Sequence, residues 1–181
     1  MTSEPLDAQT ISLLGRDKVI EQLHRAGLEV ALPRRDRGID IIAYADKAHT
    51  FQALPIQIKA SAGFRWVVNE KYGSFADIVI AFVMHLGDEG RSVVYALPHA
   101  ENLAIAERLG FTQRYATWLK PKRVNQGGYI WIDRPMPELL AALEPYRAST
   151  DGWLSLLRRS LSSPPVVGPG ASAACDTRSE A

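Results

Sequence analysis

Gly38-Ile39-Asp40-Ile41-Ile42-Ala43-Tyr44 and, after a polar interval, Leu54-Pro55-Ile56-Gln57-Ile58-Lys59 form the stretch that decides the fold of this chain. Both ends are β-branched, apolar at alternate positions and bounded by Gly, Pro or polar residues, which predicts two strands. Side chains alternate faces along a strand, so Gln57 and Lys59 project to one side and Ile56 and Ile58 to the other. A strand with Gln and Lys on one face gives up packing area to polar groups. If the Asp40 strand pairs beside it, one carboxylate, one amide oxygen and one ammonium meet at a single point. That set suits a divalent cation and a nucleophilic water.

Upstream, Ile11, Leu14, Val19, Ile20, Leu23 and Ala26 recur at near-helical spacing and predict a helix over about Ala8 to Ala26. Gly27 stands where a glycine ends a helix. Gly15 lowers the propensity enough to allow a start near Asp17 instead. Glu29 to Pro33 reads as a short strand, Arg34-Arg35-Asp36-Arg37-Gly38 as a charged loop, and Asp46 to Thr50 as a hairpin-like connection. Ala60 to Lys71 reads as a loop with a short strand.

Downstream, Phe75 to Met84 is nearly continuous in apolar residues, the mark of a central strand covered on both faces. Ser92 to Leu97 is a further strand. Pro98 opens a helix where proline is tolerated, and Gly110 stops it. After a mixed aromatic segment, Phe111 to Lys122, the pair Gly127-Gly128 precedes a short strand, Tyr129 to Ile132. Helical segments over about Met136 to Tyr146 and Asp151 to Leu161 follow. From Ser162 the chain is Pro, Gly, Ser and Ala, with too few apolar groups to offset ordering entropy. The expected organisation is a flexible start over 1–10, one domain over 11–161 and a disordered tail over 162–181. The domain divides into a core over 11–97 and a C-terminal extension over 98–161 that completes the core or forms a dimer interface. Its class is α/β, with a central mixed β-sheet flanked by helices.

The 181 residues suffice for one domain with a real core, and 46% hydrophobic with 23% charged residues is the composition of a soluble globular protein. A formal net charge of +1 excludes a global basic field, so any nucleic-acid surface is local. Cys175 is the one cysteine, which excludes a disulfide framework and a thiolate metal site. His24, His49, His85 and His99 lack metal-ligand spacing. No phosphate-cradling glycine loop or serine elbow is present. The polar, acidic first residues do not read as a signal peptide, and no apolar run reaches the roughly 18 residues that span a bilayer. A cytoplasmic protein without a membrane partner is expected.

Hydrolysis of a phosphodiester needs an activated water and neutralisation of charge growing on the phosphate, and Mg²⁺ serves both. Mg²⁺ takes hard oxygen ligands, usually one or two carboxylates with waters and substrate oxygens. Asp40 supplies a carboxylate; the Gln57 side-chain oxygen and the Ile58 carbonyl supply neutral ligands. Lys59 is then placed to steer the water or stabilise the phosphate. The alternative for Asp40 is a strand-end residue that caps a turn or pairs with Arg34, Arg35 or Arg37. For Gln57 and Lys59 it is the solvated face of an edge strand.

Gly-Ile-Asp40 followed by Ile-Gln57-Ile-Lys59 resembles the core of the PD-(D/E)xK, restriction-endonuclease-like nuclease superfamily. Its Gln-x-Lys form is similar to that of Mrr-type endonucleases. The helix-to-strand turn Gly27-Leu28-Glu29-Val30 resembles the same core, and the likeness covers about residues 11–97. It implies a helix, a three-stranded meander carrying the site, then a helix and a further strand. It also implies cleavage of DNA rather than RNA with Mg²⁺ or Mn²⁺, and a homodimer where both strands are cut.

Many members carry a glutamate on the inner face of the first helix, after a glycine, and here Arg16 follows Gly15. At about 100° per residue, Arg16 shares a face with Val19, Ile20 and Leu23, while Asp17 lies about one residue step round. Asp17 joins the metal set only if the helix is rotated or starts late. Arg16 therefore opens a second expectation, a catalytically degenerate relative that binds nucleic acid or a protein partner. A third is an accessory domain with no site. Arg34, Arg35, Arg37 and Arg65 are the candidate phosphate contacts. Arg65-Trp66 and Trp118-Leu119-Lys120-Pro121-Lys122-Arg123 join cations to aromatic rings, as nucleic-acid grooves do, or else are solvated charges beside core tryptophans.

Overall fold

Helix α1 (Ala8–Arg25) begins at Asp7, whose carboxylate accepts from the backbone N–H groups of Gln9 and Thr10, each at 2.8 Å. These are donors that a helix start otherwise leaves unsatisfied. The structure is a computed structural model and describes residues 6–35, 37–47, 50–75, 77–88, 90–120 and 127–160. The tail from 161 onward and the basic stretch Pro121-Lys122-Arg123 lie outside the described residues.

α1 runs unbroken through Gly15 and does not start at Asp17. A Cβ at Gly15 would overlap the Cβ of Ala60, so the glycine lets the helix backbone lie directly on a strand. The helix ends with Ala26 as its cap and Gly27 at φ +73°, the left-handed conformation expected there.

Strands β1 (Glu29–Ala31), β2 (Ile41–Lys47) and β3 (Thr50–Ala60) form an antiparallel meander. β4 (Trp66–Asn69) and a 3₁₀ turn (Glu70–Ser74) then lead to β5 (Val79–Met84), which pairs parallel to β3. β6 (Val93–Pro98) closes the sheet antiparallel to β5, giving the order β1-β2-β3-β5-β6. Parallel neighbours require a crossover. Here the crossover is β4 and the 3₁₀ turn, not the α-helix implied by the resemblance; α2 (His99–Arg108) comes only after β6. β5 is also shorter than the apolar run from Phe75. Asp77 at φ +58° breaks the extended backbone ahead of it.

The rest of the chain is short elements: α3 (Phe111–Arg114), α4 (Ala116–Leu119), β7 (Tyr129–Ile132), α5 (Pro137–Leu143) and α6 (Thr150–Arg159). β7 pairs antiparallel with β4 in a separate two-stranded sheet, Trp66 opposite Ile132 and Asn69 opposite Tyr129.

All six β5 residues are buried, and their alternation feeds two cores. Val79, Ala81 and Val83 join Val19, Leu23, Ile56 and Trp153 beneath α1 and α6. Ile80, Phe82 and Met84 join Trp66, Phe111, Ile130 and Leu143 on the opposite face. Trp153, Leu139 and Leu143 are fully buried, so the C-terminal helices complete the core. Trp153 Nε1 also donates to Gln22 Oε1 at 3.2 Å, tying α6 to α1. Among the described residues no helix is long and apolar enough to cross a membrane.

Candidate functional site

Asp40 stands one residue before β2, and its N–H donates at 2.9 Å to the O of Ile56, the residue that Ile41 already pairs with. The paired register ends with Ile41 opposite Ile56, and just beyond it the Asp40 and Gln57 side chains meet. Asp40 Oδ2 accepts the Ile58 N–H at 2.7 Å. The Gln57 side-chain NH₂ donates to the same Asp40 oxygen and, at 3.2 Å, to Ile58 O. Gln57 is buried at 6% exposure, so this pairing also satisfies a polar group that would otherwise be costly to bury.

Asp40, Gln57 and the Ile58 carbonyl therefore converge on one spot. A half-turn of the Gln57 amide exchanges its NH₂ for its oxygen and brings a third oxygen to the Asp40 and Ile58 oxygens. Carboxylate, carbonyl and amide oxygens are the hard donors that Mg²⁺ takes, and one carboxylate is within its usual range. The residues present fit such an ion.

Lys59, two positions along β3 on the face of Gln57, is half-buried, with Nζ 5.3 Å from the centre of the Tyr72 ring. It shares with Asp40 and Ile58 the lining of an open cleft of about 420 Å³. One wall is α1, through Ala8, Ile11, Ser12 and Arg16; the other is the small sheet and its 3₁₀ turn, through Val67, Asn69, Tyr72, Tyr129 and Trp131. Arg16, Lys59, Arg65 and Lys71 line the cleft against the single carboxylate of Asp40.

Arg16 occupies the side of α1 that faces the cleft, half-buried, as its position relative to Val19 and Leu23 dictates. Among the described residues it forms no ion pair with Asp40. Asp17 is exposed and outside the cleft lining. Glu21 pairs with Arg25 at 2.6 Å, and Glu70 Oε2 accepts from Gly128 N at 2.7 Å. Among the described residues no three His, Cys, Asp or Glu side chains gather as a metal site. Arg34, Arg35 and Arg37 are exposed on the loop before Gly38, away from the cleft lining, and Arg34 and Arg35 make no ion pair with Asp40.

Arg65 belongs to the cleft, its guanidinium 4.6 Å above the Trp131 ring. The sequence reading missed the aromatic wall of Tyr72, Tyr129 and Trp131. Its signal was the alternation Tyr129-Ile130-Trp131-Ile132: both isoleucines are buried, while Trp131 is 46% exposed. Trp66 and Trp118 instead serve the core, Trp66 fully buried and Trp118 packed so closely on Gly128 that a Cβ there would come within 2.7 Å of its ring. Burial pushes the Tyr129 hydroxyl above the ordinary phenol range, against the opposing pull of Arg65, so it stays a hydrogen-bond donor near neutral pH. Behind Tyr72, His99 packs edge-on with ring centres 6.0 Å apart, and burial lowers its pKa.

No family model and no curated protein matches the chain. Among solved structures it is similar to a bacterial homing endonuclease, with a TM-score of 0.45 and 15% identity, over 86% of this chain and 95% of that one. It is also similar to Hjc, a Holliday junction resolvase from the archaeal hyperthermophile Archaeoglobus fulgidus. That likeness has a TM-score of 0.42 and 13% identity, over 76% of this chain and 89% of the resolvase.

Proposed function

We propose that this chain is a metal-dependent nuclease of the restriction-endonuclease-like kind that acts on DNA. The observation that carries the reading is the convergence of Asp40, Gln57 and the Ile58 carbonyl at the edge of a cleft where four cations face one carboxylate. Asp40, Ile58 O and the Gln57 side-chain oxygen would hold Mg²⁺ or Mn²⁺. When bound, the ion polarises water and a phosphoryl oxygen. Lys59 orients the attacking water and offsets charge that grows on the phosphate. Arg16, Arg65 and Lys71 neutralise backbone phosphates in the cleft, and Arg34, Arg35 and Arg37 meet the flanking backbone. The expected setting is the cytoplasm. A homodimer is the form expected for cutting both strands, which sedimentation equilibrium tests.

Supercoiled plasmid incubated with Mg²⁺ or Mn²⁺ is expected to be nicked or linearised. Lys59→Ala is expected to slow cleavage by about a hundred-fold or more, the usual scale of a positioned acid–base group. Equal cleavage by Lys59→Ala, or none by the wild type in either metal, would sink the reading. Arg16 in the cleft and the single carboxylate favour one alternative, a nuclease-like protein that binds nucleic acid without cutting it. Tight, salt-sensitive binding with no cleavage in either metal identifies that case.

A further inference from the structure

We infer that the β4–β7 wall is a base-stacking platform, and that the preferred substrate carries unpaired nucleotides beside the scissile phosphate. This rests on the nuclease reading for the word scissile, but the platform itself rests on separate observations. Tyr129 and Trp131 stand two residues apart on one strand and so share a face, and both line the cleft. Trp131 is 46% exposed although it sits in the middle of a paired strand, opposite Val67. Both rings also border a second hollow of about 460 Å³ with Tyr115, Thr117 and Asp133, so they form a ridge between two concavities.

The chemistry selects the occupant. Arg16, Lys59, Arg65 and Lys71 give the cleft the charge of a phosphate track. Arg65 lies against Trp131, a cation beside the aromatic ring as in single-strand grooves. A continuous duplex keeps its base faces inside its own stack and can offer this ridge only its backbone. An unpaired nucleotide offers a free base face to the rings while its phosphates reach the cations. Such stacking is indifferent to sequence, because every base has such a face.

The test is binding by the full chain in EDTA, followed by fluorescence anisotropy, so that cleavage plays no part. The probes are a fluorescein-labelled duplex and the same duplex interrupted by a short unpaired stretch. The interrupted duplex is expected to bind about ten-fold tighter. Trp131→Ala should weaken it by about five- to ten-fold, close to the level of the continuous duplex, and leave the continuous duplex within about two-fold, the lower end of the scale of one lost base–aromatic stack. Trp131→Phe, which keeps a ring, should retain most of the preference. Thermal melting of both variants checks that the exposed site is altered and not the fold. Equal binding of the two probes by the wild type, or a loss in Trp131→Ala that is the same for both, overturns the platform. Plasmid cleavage with no preference for unpaired DNA would remove the platform and leave the nuclease reading. A preference that depends on Trp131, without cleavage in Mg²⁺ or Mn²⁺, would do the reverse.

Discussion

The two faces of the central sheet are built from the same alternating strands, yet they end in opposite ways. Beneath it, α1 and α6 lie along the strands, and the apolar cluster around Ile56, Ala81 and Trp153 is closed. On the other face the cover is a two-stranded sheet, a 3₁₀ turn and several short helices. At the end of β3 that cover leaves a cleft. Gln57 and Lys59 fall on this second face, one residue away from Ile56 and Ile58 on the first. A polar side chain on the closed face would face helices; here it faces an opening. The difference lies in what packs against the strand, not in the strand.

The sharpest way to test the contrast is at adjacent residues. Ile56→Ala is expected to cost about 2–5 kcal/mol of stability, as for other buried large-to-small changes, with cleavage per folded molecule retained. Gln57→Leu, similar in volume, loses the amide hydrogen bonds to Asp40 and Ile58; it is expected to cost about 1–2 kcal/mol and to lose the rise in melting temperature that Mg²⁺ gives the wild type. Denaturant titrations with and without Mg²⁺ measure both. If Gln57→Leu is the more damaging to stability, the two faces are not distinguished as described.

A smaller effect is expected at the helix–strand contact of the closed face. Gly15→Ala gains about 1 kcal/mol of helix propensity but forces two backbone-anchored methyl groups together, an overpacking cost of about 1–3 kcal/mol. The expected net is a modest loss, of up to about 2 kcal/mol. Ala60→Gly in the Gly15→Ala background should recover part of it, read as a coupling energy in a double-mutant cycle.

The smallest effect concerns pH on the open face. Burial lowers the pKa of His99 from 6.5, so the unfolded chain binds the extra proton more readily than the folded one. This contribution is at its full value above about 6.5 and is lost as pH falls from there through the lowered pKa. His99→Gln should flatten that part of a melting-temperature profile. The Asp7 cap, its pKa held below 3.8 by hydrogen bonds from Thr10 and Gln9, leaves its mark only at lower pH. An unchanged profile in His99→Gln would show that His99 does not titrate in this window.

Much of the closed face was legible in the sequence because its signals are local. Period-two alternation marked β2 and β3, and the hairpin between them fixed the register that brings Asp40 beside Gln57. The continuous apolar run marked β5 as doubly covered. Gly15 was misread because propensity is a property of the residue, whereas its contact with Ala60 joins positions far apart in the chain. The residues of the crossover read as a loop with a short strand, as β4 bears out, while the helix implied there by the resemblance is not found among the described residues. β4 finds its partner β7 some sixty residues later, and nothing between Ala60 and Lys71 announces that pairing. The position of Arg16 followed from helix geometry alone, but its lack of an ion pair with Asp40 did not.

The two strands of the cleft wall meet at a clasp. Glu70 N donates to Gly128 O at 3.0 Å, while Gly128 N donates back to the Glu70 carboxylate at 2.7 Å. A side chain at Gly127 would collide with Glu70, so the buckle closes only over glycine. Tyr72 follows Glu70 by two residues and Tyr129 follows Gly127 by two, so both rings hang from the same fastening. The aromatic wall is thus fastened by a carboxylate that does not itself line the cleft.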